Sequence, residues 1–185
     1  MHFTLADLVT DITQNGAESG ASLVELTVSE IRGTGGEFRF TVRDNGKGMD
    51  AAELKRAVDP FVTDGIKHPR RKVGLGLPFL IQTAEQSGGG WDIKSEKGKG
   101  TTVNAWFDPA NVDMPPVGDV PGMFRSILMF QGPQEIRITR SRRGEGGENS
   151  YELSKTEISE ALGGLDNTGS LVLLDKYLRS LEEDE

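Results

Sequence analysis

A chain of 185 residues has room for one domain with a proper core and a small appendage, and not for two large domains. With 35% hydrophobic and 27% charged residues it reads as globular; no apolar run approaches the ~18 residues that cross a bilayer, and the amino terminus lacks the pattern of a signal peptide. The lack of cysteine excludes disulfides, thiolate zinc sites and thiol catalysis, while a net charge of -8 argues against broad nucleic-acid or anionic-membrane binding, so a cytoplasmic protein is expected.

Leu5, Leu8, Val9 and Ile12 follow the i, i+3, i+4, i+7 spacing of an amphipathic helix whose apolar stripe needs a sheet to cover. On that helix Asp11 and Asn15 stack one turn apart, so a carboxylate and an amide oxygen converge. The alternative is that both are solvated and that Asn15-Gly16 merely ends the helix. After a turn at Gly20, Val24, Leu26 and Val28 alternate with polar residues. Beyond Gly33-Thr34-Gly35-Gly36, Phe38, Phe40 and Val42 do the same, which predicts an antiparallel hairpin with one face toward the helix. Asp44-Asn45-Gly46-Lys47-Gly48-Met49 follows at once, and its two glycines let backbone approach a ligand closely or adopt positive φ. Asp50 and Glu53 form a capping-box opening for a short helix to about Val58.

Residues 59–72 have no periodicity and include Pro60 and Pro69, which reads as a mobile loop. Gly74-Leu75-Gly76-Leu77-Pro78 closes it and opens a helix with Leu77, Leu80, Ile81 and Ala84 inward; free N–H groups and the helix dipole make such an entry a candidate anion site. Residues 88–96 and 101–107 predict two strands joined at Gly98-Lys99-Gly100. Pro109, Pro115, Pro116 and Pro121 mark a boundary near 109–122, dividing residues 1–108 from a C-terminal extension, 109–185. In the extension Arg125 to Phe130, Glu135 to Arg140 and Ser150 to Leu153 have strand-like composition. Ser154 with Glu157 opens a helix, and Leu171, Leu174, Leu178 and Leu181 define a final amphipathic one.

Each motif alone is weak, but their order is specific. A helical Asp/Asn pair, a strand ending in Asp-x-Gly-x-Gly, a loop ending in Gly-x-Gly-Leu, and Gly-x-Gly-Thr leading into a strand resembles the GHKL ATP-binding superfamily of histidine kinases, heat-shock chaperones, gyrase and MutL, across residues 3 to about 107. The resemblance implies an α+β fold, the Bergerat two-layer α/β sandwich: a mixed, mostly antiparallel sheet covered on one face by helices, here with a small β-rich and helical C-terminal extension. It implies ATP and magnesium as cofactors. Asn15 corresponds to the asparagine that binds the metal bridging the phosphates, and an amide oxygen suits that hard cation. Asp44 corresponds to the aspartate that accepts a hydrogen bond from the adenine amino group, with Gly46 and Gly48 passing close to the base, Met49 lining its apolar face, and Thr101 supporting recognition beside Asp44. Gly74, Leu75, Gly76 and Leu77 correspond to the second glycine box at the phosphates, and the segment from Phe61 to Val73 to the ATP lid. Arg70, Arg71 and Lys72 are candidate phosphate partners or a solvated charge run, and His68 reads as lid surface. With two histidines in the chain, a histidine metal site is not expected.

Departures from the pattern shape the functional expectation. Hydrolytic members carry a glutamate as water-activating base four residues before the metal asparagine; here that place holds Asp11, one methylene shorter, a candidate base with reduced reach. The sequence has no dimerisation helix pair with a phosphoaccepting histidine before the first helix and no transducer domain after the fold, so a complete sensor kinase is not expected. The tail resembles compact ATP-binding proteins encoded beside iron-only hydrogenase subunits. The expected partners are therefore ATP and a protein, hydrogenase-related or from a signalling system, or a second copy in a homodimer; nucleic acid and membrane are not expected. Arg137, Arg140, Arg142 and Arg143 read as a basic edge, with edge-strand protection by charge preferred over nucleic-acid binding. The leading reading is an ATP·Mg-binding regulatory protein with a switching lid; the alternative is a slow ATPase or an anti-sigma-type serine kinase.

Overall fold

The computed structural model describes residues 3–61 and 76–183. Helix α1 (Leu5–Glu18) begins at Thr4, whose side chain accepts from the Asp7 N–H while the Asp7 carboxylate takes the Thr4 N–H, the capping box that satisfies helix-start donors. Two further donors of that first turn, the N–H groups of Leu5 and Ala6, are taken by the carbonyls of Pro116 and Val117, 2.9 Å away in each case. The proline-rich stretch read as a boundary thus also ties the extension to the first helix. Leu5, Leu8, Val9 and Ile12 are buried as their spacing predicts.

Strands β1 (Leu23–Ile31) and β2 (Glu37–Asp44) form the expected antiparallel hairpin, and α2 (Ala51–Ala57) starts at the Asp50/Glu53 capping box. Helix α3 (Gly76–Gln86) precedes β3 (Gly90–Glu96) and β4 (Gly100–Phe107), and β4 pairs with β2. The α+β sandwich is as expected: one six-stranded sheet in the order β3-β4-β2-β1-β5-β6, with β5 (Glu135–Gly144) and β6 (Gly147–Ser154) from the extension continuing it. Among the described residues, β1 and β5 pair in parallel and the other strand contacts are antiparallel. Val24, Leu26 and Val28, Phe38, Phe40 and Val42, Val103 and Ala105, and Ile136 and Ile138 are buried on one face beneath the helices. The other face carries polar side chains such as Thr27, Thr41, Asn104 and Arg137. Among the described residues, no helix is long and apolar enough to cross a membrane.

Two expectations for the extension are corrected. Residues 125–130 are not a strand; they belong to α4 (Val120–Leu128) and its C-terminal turn. Val120, Met123, Phe124, Ile127 and Leu128 are all buried, which is helical spacing, and Asp119 caps the start by accepting from the Gly122 N–H. Pro121 sits in the first turn, where a missing N–H costs nothing. Reading it as a boundary hid the helix, whose apolar face packs on α1 and on α6 (Thr168–Glu182). Helix α5 (Lys155–Leu162), capped by Ser154, and α6, with Leu174 and Leu178 buried, match their patterns.

The arginines are not a basic edge. β5 lies between β1 and β6, so its alternation sends Arg137 and Arg143 outward and Arg140 and Arg142 into the helical layer. Arg140 is 1% exposed; its guanidinium lies 2.6 Å from Glu30 and 3.2 Å from Glu182, and Glu182 also accepts from the Tyr151 hydroxyl. Arg142 donates to the carbonyls of Glu182 and Leu181 at 2.9 and 3.1 Å, placing a cation on the C-terminal end of α6.

Candidate functional site

The site grows from the end of β2. Asp44 is 7% exposed, and a carboxylate that deep requires hydrogen-bond donors. Its Oδ1 accepts from the Gly46 N–H at 2.9 Å and from the Ser19 hydroxyl at 3.1 Å. Its Oδ2 has no donor among the described residues. Helix α1 packs directly on this carboxylate: a Cβ at Gly16 would stand 3.4 Å from Asp44 Cβ and 3.6 Å from Oδ2.

Register places Thr101 of β4 opposite Asp44 on the same face. The Thr101 hydroxyl lies 2.8 Å from that of Ser95, which also accepts from the Met49 N–H at 2.8 Å. Ser95 therefore joins the glycine loop to the strand that carries Thr101. Asn45 anchors the loop from the other side, its Oδ1 accepting from the N–H groups of Ser22 and Leu23 at 2.9 and 3.0 Å. The hairpin is tied to α2 by Lys97, 2.9 Å from Glu53; the Asp50 N–H and Lys97 hold the Glu53 carboxyl below its ordinary range.

The crowding at the glycines is intramolecular. A Cβ on Gly46 would stand 1.8 Å from Ser19 Oγ, and one on Gly48, at φ +60, would stand 2.0 Å from the Glu96 carbonyl oxygen. Gly46 and Gly48 let the loop pack against α1 and the β3–β4 turn, and that packing brings Met49, half-buried, beside Ser95.

Asn15 is exposed near the C-terminal end of α1, one turn after the exposed Asp11. A Cβ on Gly76 would lie 3.4 Å from Asn15 Nδ2, so the first residue of α3 meets the asparagine directly. Leu77 is partly buried against the core. Contacts thus run from Thr101 and Asp44 through Gly16 to its neighbour Asn15 and the Gly76 start of α3. Phe61 stands apart at 92% exposure, its N–H donating to Asp59. Arg71, Lys72, Gly74 and Leu75, with His68 and Arg70, lie outside the described residues. Sequence reasoning missed Ser19, Ser95 and Asn45. Ser19 carries the one available signal, a hydroxyl one helical turn after Asn15.

The donor set fits a magnesium-bound nucleotide. Oδ2 of Asp44 is an acceptor in search of an N–H, and the N–H groups at the start of α3 suit an anion. Among the described residues no three His, Cys, Asp or Glu side chains gather to hold a metal. The Asn15 amide would contribute one oxygen to a cation whose remaining ligands come from phosphate and water.

Residues 3–111 match the family described as histidine kinase-, DNA gyrase B-, and HSP90-like ATPase. The sensor histidine kinase ZraS of Escherichia coli (strain K12) is 32% identical over 90 residues, 49% of this chain and 18% of its own length. Sporulation kinase C of Bacillus subtilis is 30% identical over 97 residues, 52% and 22% of the two chains. The DNA mismatch repair protein MutL of Gemmatimonas aurantiaca is 27% identical over 150 residues, 76% and 23%. The chain spans less than a quarter of the length of each of these relatives. A crystal structure of the N-terminal domain of a DNA repair protein superposes with a TM-score of 0.44 at 14% identity, over 91% of this chain and 58% of that one.

Proposed function

Because the chain belongs to the histidine kinase-, DNA gyrase B-, and HSP90-like ATPase family, we propose that the surface running from Asp44 to Gly76 binds ATP with magnesium and that nucleotide occupancy regulates a partner protein. The observation that carries the reading is the half-satisfied carboxylate of Asp44. Oδ1 is held by Gly46 and Ser19, while Oδ2, with no donor among the described residues, is left to accept from a ligand amino group, with Thr101 alongside. A base without that donor leaves the acceptor unpaired, which is how one buried carboxylate selects adenine. Asn15 would take the metal, and the Gly76 end of α3 the phosphates. When bound, the metal neutralises phosphate charge and orients the terminal phosphoryl group.

In this reading residues 61–73 act as the lid, with Arg71 and Lys72 as phosphate partners and Gly74 and Leu75 in the phosphate loop. Regulation requires that nucleotide bind one lid state more tightly than the other, so that occupancy changes the surface offered to a partner. Residues 109–185 form the extension around which that surface is built, the partner is a signalling or hydrogenase-related protein or a second copy, and the location is cytoplasmic.

Asp11 favours a second reading. It is exposed on the face of α1 that carries Asn15, which suits slow, base-assisted ATP hydrolysis or phosphoryl transfer to a protein serine. Melting the protein with and without ATP and magnesium tests the first reading: a rise in Tm that Asp44→Asn abolishes is expected, and no shift with any adenine nucleotide overturns it. Phosphate release lost in Asp11→Asn, with the ATP-dependent Tm rise retained, would support the second.

A further inference from the structure

Gly46 alone is a weak mooring for the Asp44 carboxylate. One N–H on Oδ1 leaves the group free to swing, because the terminal torsion of an aspartate lies in broad wells. The second mooring comes from α1. The Ser19 hydroxyl lies 3.1 Å from Oδ1 and 2.7 Å from the Gly16 carbonyl oxygen. It has one proton for the two acceptors, so it links the carboxylate to the helix end next to Asn15. Ser19 is itself fixed: its N–H donates to Gly16 at 3.2 Å, its carbonyl accepts from Lys47 at 3.0 Å, and the Gly46 backbone closes the space beside Oγ.

We propose that Ser19 is a positioning residue for base selectivity: its hydroxyl and the Gly46 N–H together pin Oδ1, which holds Oδ2 as a fixed acceptor for the exocyclic amino group of a purine. The inference rests on the adenine reading of Asp44. A fixed acceptor rewards an amino group and repels a keto oxygen at the same position. A carboxylate that can rotate away forms the first contact less well and escapes the second. Loss of Ser19 therefore lowers discrimination between the two bases more than it lowers affinity for the triphosphate they share.

The test is titration calorimetry of the full chain with ATP and with inosine triphosphate, which has oxygen in place of the amino group, both with magnesium. Wild type prefers ATP. In Ser19→Ala the preference falls about tenfold, while the preference for ATP over ADP stays. Ser19→Cys, similar in shape with only a weak donor, follows the alanine variant and decides the question if alanine does not fold. A wild-type ATP-to-inosine ratio in the folded variants, even with both nucleotides weakened, overturns the proposal and leaves Ser19 a packing residue. A wild type that binds both bases equally is a different failure: it removes the adenine reading of Asp44, and this proposal with it.

Discussion

Ser19 and Gly46 compete for one volume: the hydroxyl oxygen of the first lies 1.8 Å from where a Cβ on the second would stand. Gly46→Ala must therefore push the Asp44–Met49 loop off α1, at a cost of roughly 1–3 kcal/mol. Gly146, with open space around its Cβ position and no positive φ, is the matched control. Chemical denaturation should show Gly46→Ala clearly destabilised and Gly146→Ala within about 0.5 kcal/mol of wild type. Equal midpoints for the two variants would mean that the loop does not depend on that contact.

Thr101→Val keeps the shape of the side chain and removes its hydroxyl, breaking the 2.8 Å contact with Ser95 beside Asp44. Adenine nucleotide affinity should fall by about five- to tenfold, the worth of one hydrogen bond, with the melting temperature of the free protein little changed. Competition against a fluorescent nucleotide reads this directly. Undiminished affinity would remove Thr101 from the site.

The ionic cluster under the end of α6 should be costly to break from one side. Arg140→Met leaves Glu30 and Glu182 facing a hydrocarbon chain, a loss of roughly 3–5 kcal/mol. Burial pushes the Glu30 carboxyl up, but hydrogen bonds from Arg140 and Arg32 outweigh it and hold the group below its ordinary 4.5. A depressed carboxyl contributes stability that is complete above about pH 4.5 and is lost as pH falls through the folded value. Urea midpoints of wild type should therefore drop below that pH, and Arg140→Met should lose this step of acid sensitivity. Adding Glu30→Gln to Arg140→Met should restore part of the stability. No restoration would argue that Arg140 acts by packing alone.

At the alkaline end the same cluster has the opposite sign. Burial, then the hydrogen bond to Glu182, raises the Tyr151 hydroxyl above its ordinary 10.0. A raised group contributes stability below its unfolded value that is lost as pH climbs through the folded one. Stability measured from pH 8 upward should begin to decline near pH 10 in wild type, and less steeply in Tyr151→Phe. Identical alkaline limbs would mean that the hydroxyl is not held in its protonated form by the fold.

Much of the fold was legible because its signals are local. Alternation in Val24–Val28 and Phe38–Val42 fixes which face of each strand is buried, and capping residues at Asp50 and Ser154 mark helix starts within a few positions. Residues 125–130 misled because their composition suits a strand while their burial follows a period that becomes visible only from Val120 onward. Arg140 and Arg142 misled for another reason: whether β5 is central or an edge depends on its pairing with β1, and no short-range pattern encodes that. At the site, Asp44, Gly46, Gly48 and Thr101 stood out by order along the chain. Ser95 acts by touching Met49, far away in sequence, where a serine carries no distinguishing local signal, and Ser19 offers only its place one helical turn after Asn15.

The parallel seam between β1 and β5 also has a consequence in time. Leu23 pairs with Glu135, so β1 remains a bare edge until the chain has been synthesised well past the nucleotide motifs. A pairing so distant in sequence closes slowly, since a long loop must be ordered before its contacts form. The hairpin of β1 and β2 can assemble early, while its Leu23–Ile31 flank waits open to any extended segment that reaches it first. On a ribosome, the vulnerable interval lasts from the emergence of residue 31 to that of residue 144.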